Sequence, residues 1–360
     1  MGLIRILLSL AVIITHTAPL FGLVMTGAAL AFMIFFVLSG FYMALILSEK
    51  YTMKGAYPLF IGNRLLRLYP IYWFALACSV LMSLVGHKFF GNGLHLAPWF
   101  EFGDKLSPFT IAYLVVVNII FLGQPLLFFA NIDLASGAIV PTVNPEAHPM
   151  LAWTFLVIAH SWTLDLEIMF YLMVPFLVKL RTRYLVAIMT VSLGVRLYLI
   201  LAGFPGEPWM LRFFPSELCF FVLGMLAYRF YNRIKHYQIP EWISLTAWGY
   251  LTAFIVLYQF IPGGVVKETV FFASMLLCVP YIFNYTKYNK RDRWLGELTY
   301  PVYIAHRMFI PVFKSIMPMV WVPPLVIVVT VLISVALNRY ITFPLERFRQ
   351  HRVAKVCKVN

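Results

Sequence analysis

Long apolar runs separated by short polar breaks extend through the whole chain. They fall near residues 4–22, 27–47, 68–86, 109–130, 163–178, 185–202, 215–231, 242–261, 269–286, 298–316 and 320–343. Most match the roughly 20 residues that cross a bilayer as an α-helix. The breaks hold the cations. Lys50, Lys54, Arg64 and Arg67 follow the second run, and Lys179, Arg181 and Arg183 follow the fifth. Arg229, Arg233 and Lys235 come next, then Lys287, Lys290, Arg291 and Arg293, and finally a tail from Arg339 to Lys358. With Arg5 these make up most of the 28 Lys and Arg residues, and positive loops mark the cytoplasmic side of a membrane protein. Parity then restricts the topology: the third run ends outside and the fifth must begin there, so one run between them is not a full crossing. The run 109–130 is broken by Gly123, Gln124 and Pro125 and followed by the polar stretch Asn131 to His148. It predicts a re-entrant or broken segment, which is tolerated at membrane depth only where it is buried in protein or lines a wet cavity. The expected fold is an all-α polytopic bundle of about ten transmembrane helices plus that segment, with both termini cytoplasmic.

Composition agrees with that pattern. Hydrophobic residues make up 62% of the 360 positions and charged residues 12%, about half of what a soluble surface needs. The net charge of +14 therefore reads as membrane orientation rather than nucleic-acid binding. Cys78, Cys219, Cys278 and Cys357 are scattered, without the paired spacing of a metal site or a disulfide framework. Pro19, Phe21 and Gly22 stand at the end of the first run in place of a small-residue cleavage site, so that run is expected to be retained.

Polar groups inside apolar runs are the candidates for chemistry, because each is costly unless paired or hydrated. Arg5 and His16 are eleven residues apart, on nearly one helix face and roughly 16 Å apart along the axis. His16 is either a catalytic imidazole or a core histidine bonded to a carbonyl. Arg64 and Arg67, at i and i+3, form a fork suited to phosphate or a positive-inside anchor. In His160-Ser161-Trp162-Thr163-Leu164-Asp165-Leu166-Glu167, the carboxylate of Glu167 is the hardest group to explain structurally. It suits proton transfer or the orientation of a histidine. Tyr303 and His306 share a face of a late helix, as a substrate contact or a structural pair.

Taken together these residues resemble the membrane-bound acyltransferase 3 family, whose members typically O-acetylate extracytoplasmic glycans. The resemblance rests on Arg5-x10-His16, the run Phe35 to Phe41 with Ser39, Arg64-x-x-Arg67, the stretch Trp162 to Tyr171, and Tyr303-x-x-His306, all in the family's order. Thr163 stands where the family usually has Ser, and Thr299-Tyr300-Pro301 departs from a Ser-rich version.

The resemblance implies an acyltransferase domain over 1–345, with 346–360 as a basic cytoplasmic tail. It implies a bacterial cytoplasmic (inner) membrane location and acetyl-coenzyme A as donor on the cytoplasmic side, its phosphates clamped by Arg64 and Arg67 with help from Arg5. His16 is then the catalytic base or acyl carrier, oriented by Glu167. Ser39, Trp162, Thr163, Tyr171, Tyr303 and His306 support the site, and no metal is required. The acceptor, a cell-surface or lipid-linked glycan such as an O-antigen or exopolysaccharide, would arrive from outside, where Trp99, Phe100, Trp153 and Trp209 lie near predicted loops. Two other classes fit a polytopic chain with buried charges. One is a transporter or flippase of a glycan-assembly pathway without acyl chemistry. The other is a structural partner in such a pathway.

Overall fold

The computed structural model describes residues 1–53, 55–145 and 150–359, with side chains described as far as Val356. Lys54, His148 and the side chains of Cys357 and Lys358 lie outside the described residues. Each apolar run folds as helix. The first three are α1 (Gly2–His16), α2 (Gly27–Glu49) and α3 (Ala56–Phe90), followed by a short α4 (Ala97–Phe102). The fourth run gives α5 (Pro108–Ile120) and the one-turn α6 (Gln124–Leu127). Then come α7 (Trp162–Leu177), α8 (Thr182–Leu201), α9 (Phe214–Ile234), α10 (Glu241–Leu257), α11 (Gly264–Thr286), α12 (Lys290–Ile316), α13 (Val322–Leu337) and α14 (Phe343–Val359). Among the described residues, six helical stretches are long and apolar enough to cross a membrane on their own. With α1, α5, α7, α9 and α12 packed among them, the chain is an integral membrane helix bundle.

Two segments differ from their pattern along the chain. The first apolar run extends to residue 22, but α1 stops at His16; Pro19 follows, and Phe21 (φ 51°) and Met25 (φ 61°) turn the chain in the left-handed region. Its 15 residues span about 22 Å, which leaves His16 at the end of a short helix inside the bundle. The polar stretch 131–148 holds a small hairpin, β1 (Ala130–Asp133) against β2 (Ala138–Pro141), antiparallel with Asp133 opposite Ala138. Its turn is closed by the Asp133 carboxylate, which accepts from the Ser136 hydroxyl, and by Gly137 at φ 66°. The described helical fold therefore carries a two-stranded exception where the chain needs backbone partners outside any helix.

The packing centre is formed by α1, α2, α9 and α12, with α7 against α2. The α2–α9 contact explains a motif glycine. A Cβ on Gly40 would lie 1.9 Å from the Phe221 carbonyl oxygen, and one on Gly224 would lie 1.9 Å from that of Val37. Only glycine at both sites lets the backbones meet, as small residues do in membrane bundles generally. Phe36 then stacks on Phe221, with ring centroids 4.5 Å apart.

The broken segment shows how irregular backbone is satisfied at depth. Phe121 ends α5 with φ 46°, its ring fully buried against Tyr69 and Tyr72 of α3. The last carbonyls of α5 have no helical donors. Three aromatic side chains of α3 supply them: the Tyr72 hydroxyl donates to the Asn118 carbonyl, Trp73 Nε1 to Ile119 at 2.9 Å and the Tyr69 hydroxyl to Ile120 at 2.8 Å. The backbone N–H of Gly123, just before α6, donates to the Asp165 carboxylate at 2.6 Å. Asp165 is thereby accounted for as the partner of the break.

Candidate active site

Two cavities approach each other inside the bundle. The larger, ≈ 810 Å³, is bounded by residues of α1, α2, α3, α7, α11, α12 and α14. Its mouth is basic, with Arg5, Lys50, Arg64, Arg67, Lys287 and Arg293 on the wall. Arg64 is 6% exposed and its Nε has no hydrogen-bond partner. The guanidinium of Arg5 lies 5.8 Å from the Tyr42 ring centroid. The start of the expected tail takes part as well: α14 brings Glu346, Arg347 and Arg349 to this cavity, and Arg352 donates to Asn63 at 3.0 Å. Ser39, whose buried hydroxyl has no partner, and Glu167 line the same space.

The smaller cavity, ≈ 360 Å³, holds His16, His160, Trp162, Arg212 and Arg307. Phe32 lines both cavities, set edge-on to Trp162 (5.3 Å) and to Tyr303 (6.0 Å). Tyr303 and Thr163 line the deep end of the larger one. Phe32 is therefore common to the walls of both cavities, flanked by residues of the sequence motifs.

Next to this shared wall three histidines converge. His16 Nδ1 lies 2.9 Å from His306 Nε2, and His306 Nδ1 lies 2.6 Å from the Tyr303 carbonyl oxygen. His160 Nε2 meets the same carbonyl at 3.0 Å. The Tyr303 hydroxyl donates back to the His160 carbonyl at 2.7 Å, and the Thr163 hydroxyl lies 2.7 Å from the Tyr303 hydroxyl. A serine in place of Thr163 would keep that contact, so the departure from the family pattern costs nothing here.

The acceptors determine the tautomers. A carbonyl accepts only, so His306 Nδ1 carries the proton and, in a neutral ring, its Nε2 is an acceptor. His16 Nδ1 must then be the donor of the 2.9 Å bond, leaving the lone pair of Nε2 unused by that bond on a ring that lines the smaller cavity. That is the state of a general base or nucleophile. By the same rule His160 donates through Nε2, and its buried Nδ1 has no partner.

Glu167 does not orient His16, contrary to the sequence expectation. Its carboxylate accepts from the Tyr171 hydroxyl, one turn along α7, at 2.9 Å and faces the larger cavity. The physical reason is helix geometry. Thr163 and Glu167 are i and i+4, so Glu167 sits one turn further toward the basic mouth than the residue that reaches Tyr303. The orienting group is His306, in sequence only one half of a late pair. Of the loop aromatics, Trp153 reaches the histidine cavity, stacked on Phe128 at 5.4 Å. Trp99 and Trp209 instead donate to the carbonyls of Phe155 and Val143, and Phe100 stacks on His87. His160, Arg212, Arg307 and Phe32 have no role that the sequence pattern assigns. The position of His160 two residues before the Trp162 motif is its only signal.

Among the described residues no group of three or more metal-ligating side chains has metal-binding geometry. Comparison with curated proteins and with solved structures gives no match. A family model described as an acyltransferase domain matches residues 1–339, through α13 and including every motif residue of both cavities up to Arg307. The chain belongs to the acyltransferase 3 family of membrane acyltransferases.

Proposed function

We propose that the protein transfers an acetyl group from acetyl-coenzyme A, held in the basic cavity, to a hydroxyl of an extracytoplasmic glycan held in the histidine cavity. The observation that carries the reading is the meeting of these two cavities at Phe32, with His16, whose Nε2 is unused by the bond to His306, lining the smaller one. The 3′-phosphate and diphosphate of the donor suit Arg64 and Arg67, with Arg5 nearby, and a guanidinium fork binds such groups bidentately. Ser39 and Glu167, deeper on the same wall, are suited to hydrogen-bonding the amides of the donor's arm. His16 Nε2 takes the proton of the acceptor hydroxyl as its oxygen attacks the thioester carbonyl. The C–S bond then breaks and the coenzyme A thiolate leaves, taking up a proton. His306 holds His16 in the required tautomer, in the way the third member of a catalytic triad does.

The basic mouth belongs on the cytoplasmic side by the positive-inside rule, with about ten full crossings and both termini inside a bacterial cytoplasmic membrane. The test is direct. Purified protein in detergent, given acetyl-coenzyme A and cell-surface glycan from a strain lacking the protein, should release thiol and form a glycan O-acetyl ester in equal amounts. Transport alone releases no thiol, and a wild-type rate from His16→Gln would remove the base.

A further inference from the structure

The histidine cavity holds more positive charge than the transfer reaction uses. Arg307 follows His306 on α12 and lines the cavity; among the described residues its guanidinium forms no ion pair. Arg212 is packed over Phe128 at 3.8 Å and Trp162 at 4.5 Å. Its Nη2 is paired with Glu207, while Nε and Nη1 have no hydrogen-bond acceptor. Glu207 is the one carboxylate among the described residues lining this cavity, and its side chain is 48% exposed. One carboxylate at the rim therefore faces two guanidinium groups further in. A guanidinium inside a bundle without a counter-ion is unfavourable, and an anionic occupant relieves it.

We propose that the acceptor carries an anionic group, carboxylate or phosphate, close to the hydroxyl that is acylated, and that Arg307 seats it with Arg212 as the second charge. This rests on the reading of the histidine cavity as the acceptor chamber. The neighbouring surface fits a sugar bearing such a group. Trp153 lies flat on Phe128, at an interplanar angle of 8°, and gives an apolar wall beside the cations. Arg307 is one residue from His306, so the seat and the residue that orients the His16 base are placed by the same turn of α12. An acceptor anchored there has its reacting hydroxyl positioned by charge pairing, which a neutral hexose lacks.

The experiment uses the full chain in detergent with coenzyme A at saturation, so that the basic cavity is filled. Equilibrium dialysis compares radiolabelled D-glucuronate, glucose 1-phosphate and glucose. The charged probes should bind at least about tenfold more tightly than glucose. Arg307→Gln should abolish that difference and Arg307→Lys should restore part of it, with coenzyme A affinity unchanged in both as the measure of an intact fold. A tighter grip on glucuronate than on the phosphate indicates a uronate-type acceptor, and the reverse a phosphate-linked one. Equal binding of all three probes, including no binding of any, overturns the inference while leaving the donor assignment standing. A loss of acyl transfer in Arg307→Gln with charged-probe affinity intact also overturns it, because Arg307 would then serve the reaction's developing charge. Failure of the wild-type protein to bind coenzyme A would instead count against the proposed function.

Discussion

Replacing His306 tests the link between geometry and catalysis most sharply. In His306→Phe the acceptor for His16 Nδ1–H disappears while the buried volume is roughly kept. The lost contact is a 2.9 Å hydrogen bond to a side chain that is fully buried. Such a bond is worth about 1–3 kcal/mol when its partner is left unpaired. At 1.4 kcal/mol per factor of ten, holding His16 in one tautomer and orientation is worth about five- to a hundredfold in turnover. The Michaelis constant for acetyl-coenzyme A should not move, because the donor cavity is untouched. His306→Gln should fall less far, since its side-chain carbonyl still accepts from His16. His16→Ala should lose about 10²–10⁴-fold, the range of a general base. Adding His306→Phe to His16→Ala should then cost nothing more, because residues acting as a unit are not additive. The assay is the initial rate of glycan O-acetylation, with thermal unfolding in detergent as the folding control. Full turnover in a well-folded His306→Phe protein, or losses that multiply in the double variant, would refute the reasoning.

Further outcomes follow from the same structure. Arg64→Ala and Arg67→Ala should each weaken coenzyme A binding by about tenfold with little change in turnover, because a phosphate clamp acts alike in ground and transition states; isothermal titration set against steady-state rates separates the two. Gly40→Val should cost at least about 1–3 kcal/mol, since its Cβ would meet the Phe221 carbonyl, and a fall in unfolding temperature with loss of folded yield reads this out. Asp165→Ala leaves the Gly123 N–H without its partner and should cost about 1–3 kcal/mol in stability while coenzyme A affinity is kept. Labelling of Cys357 with an impermeant thiol reagent should require permeabilised cells; labelling from outside intact cells would invert the topology.

Much of the site is legible along the chain, and the reason differs from residue to residue. Helices in a bilayer must satisfy their own backbone, so the apolar runs and their basic breaks translate directly into elements. The Gly123-Gln124-Pro125 interruption translates equally well into a broken segment. His16, Arg5, Arg64 and Arg67 stand out because polar groups in apolar surroundings need a reason. What no pattern along one helix can specify is which helices meet. The pairing of His16 with His306 joins residues 290 positions apart, and the His160–Tyr303 contacts join residues 143 apart. Both depend on α1, α12 and the turn before α7 converging. A carboxylate and an imidazole suit each other chemically, and on that ground alone Glu167 points to His16. Only the packing of α7 turns that carboxylate one helical turn away, toward the basic cavity.

The amino-acid sequence by itself thus determined the class of molecule, the elements and the residue types available for acyl transfer, because hydrophobicity and charge act locally on each segment. Tertiary structure alone decided the division into two cavities at Phe32, the tautomer of His16 and the surplus of cations around it. Those properties belong to distances between helices, and the close α2–α9 contact at Gly40 and Gly224 illustrates what sets them: backbone approach, which side-chain chemistry read along one chain does not encode.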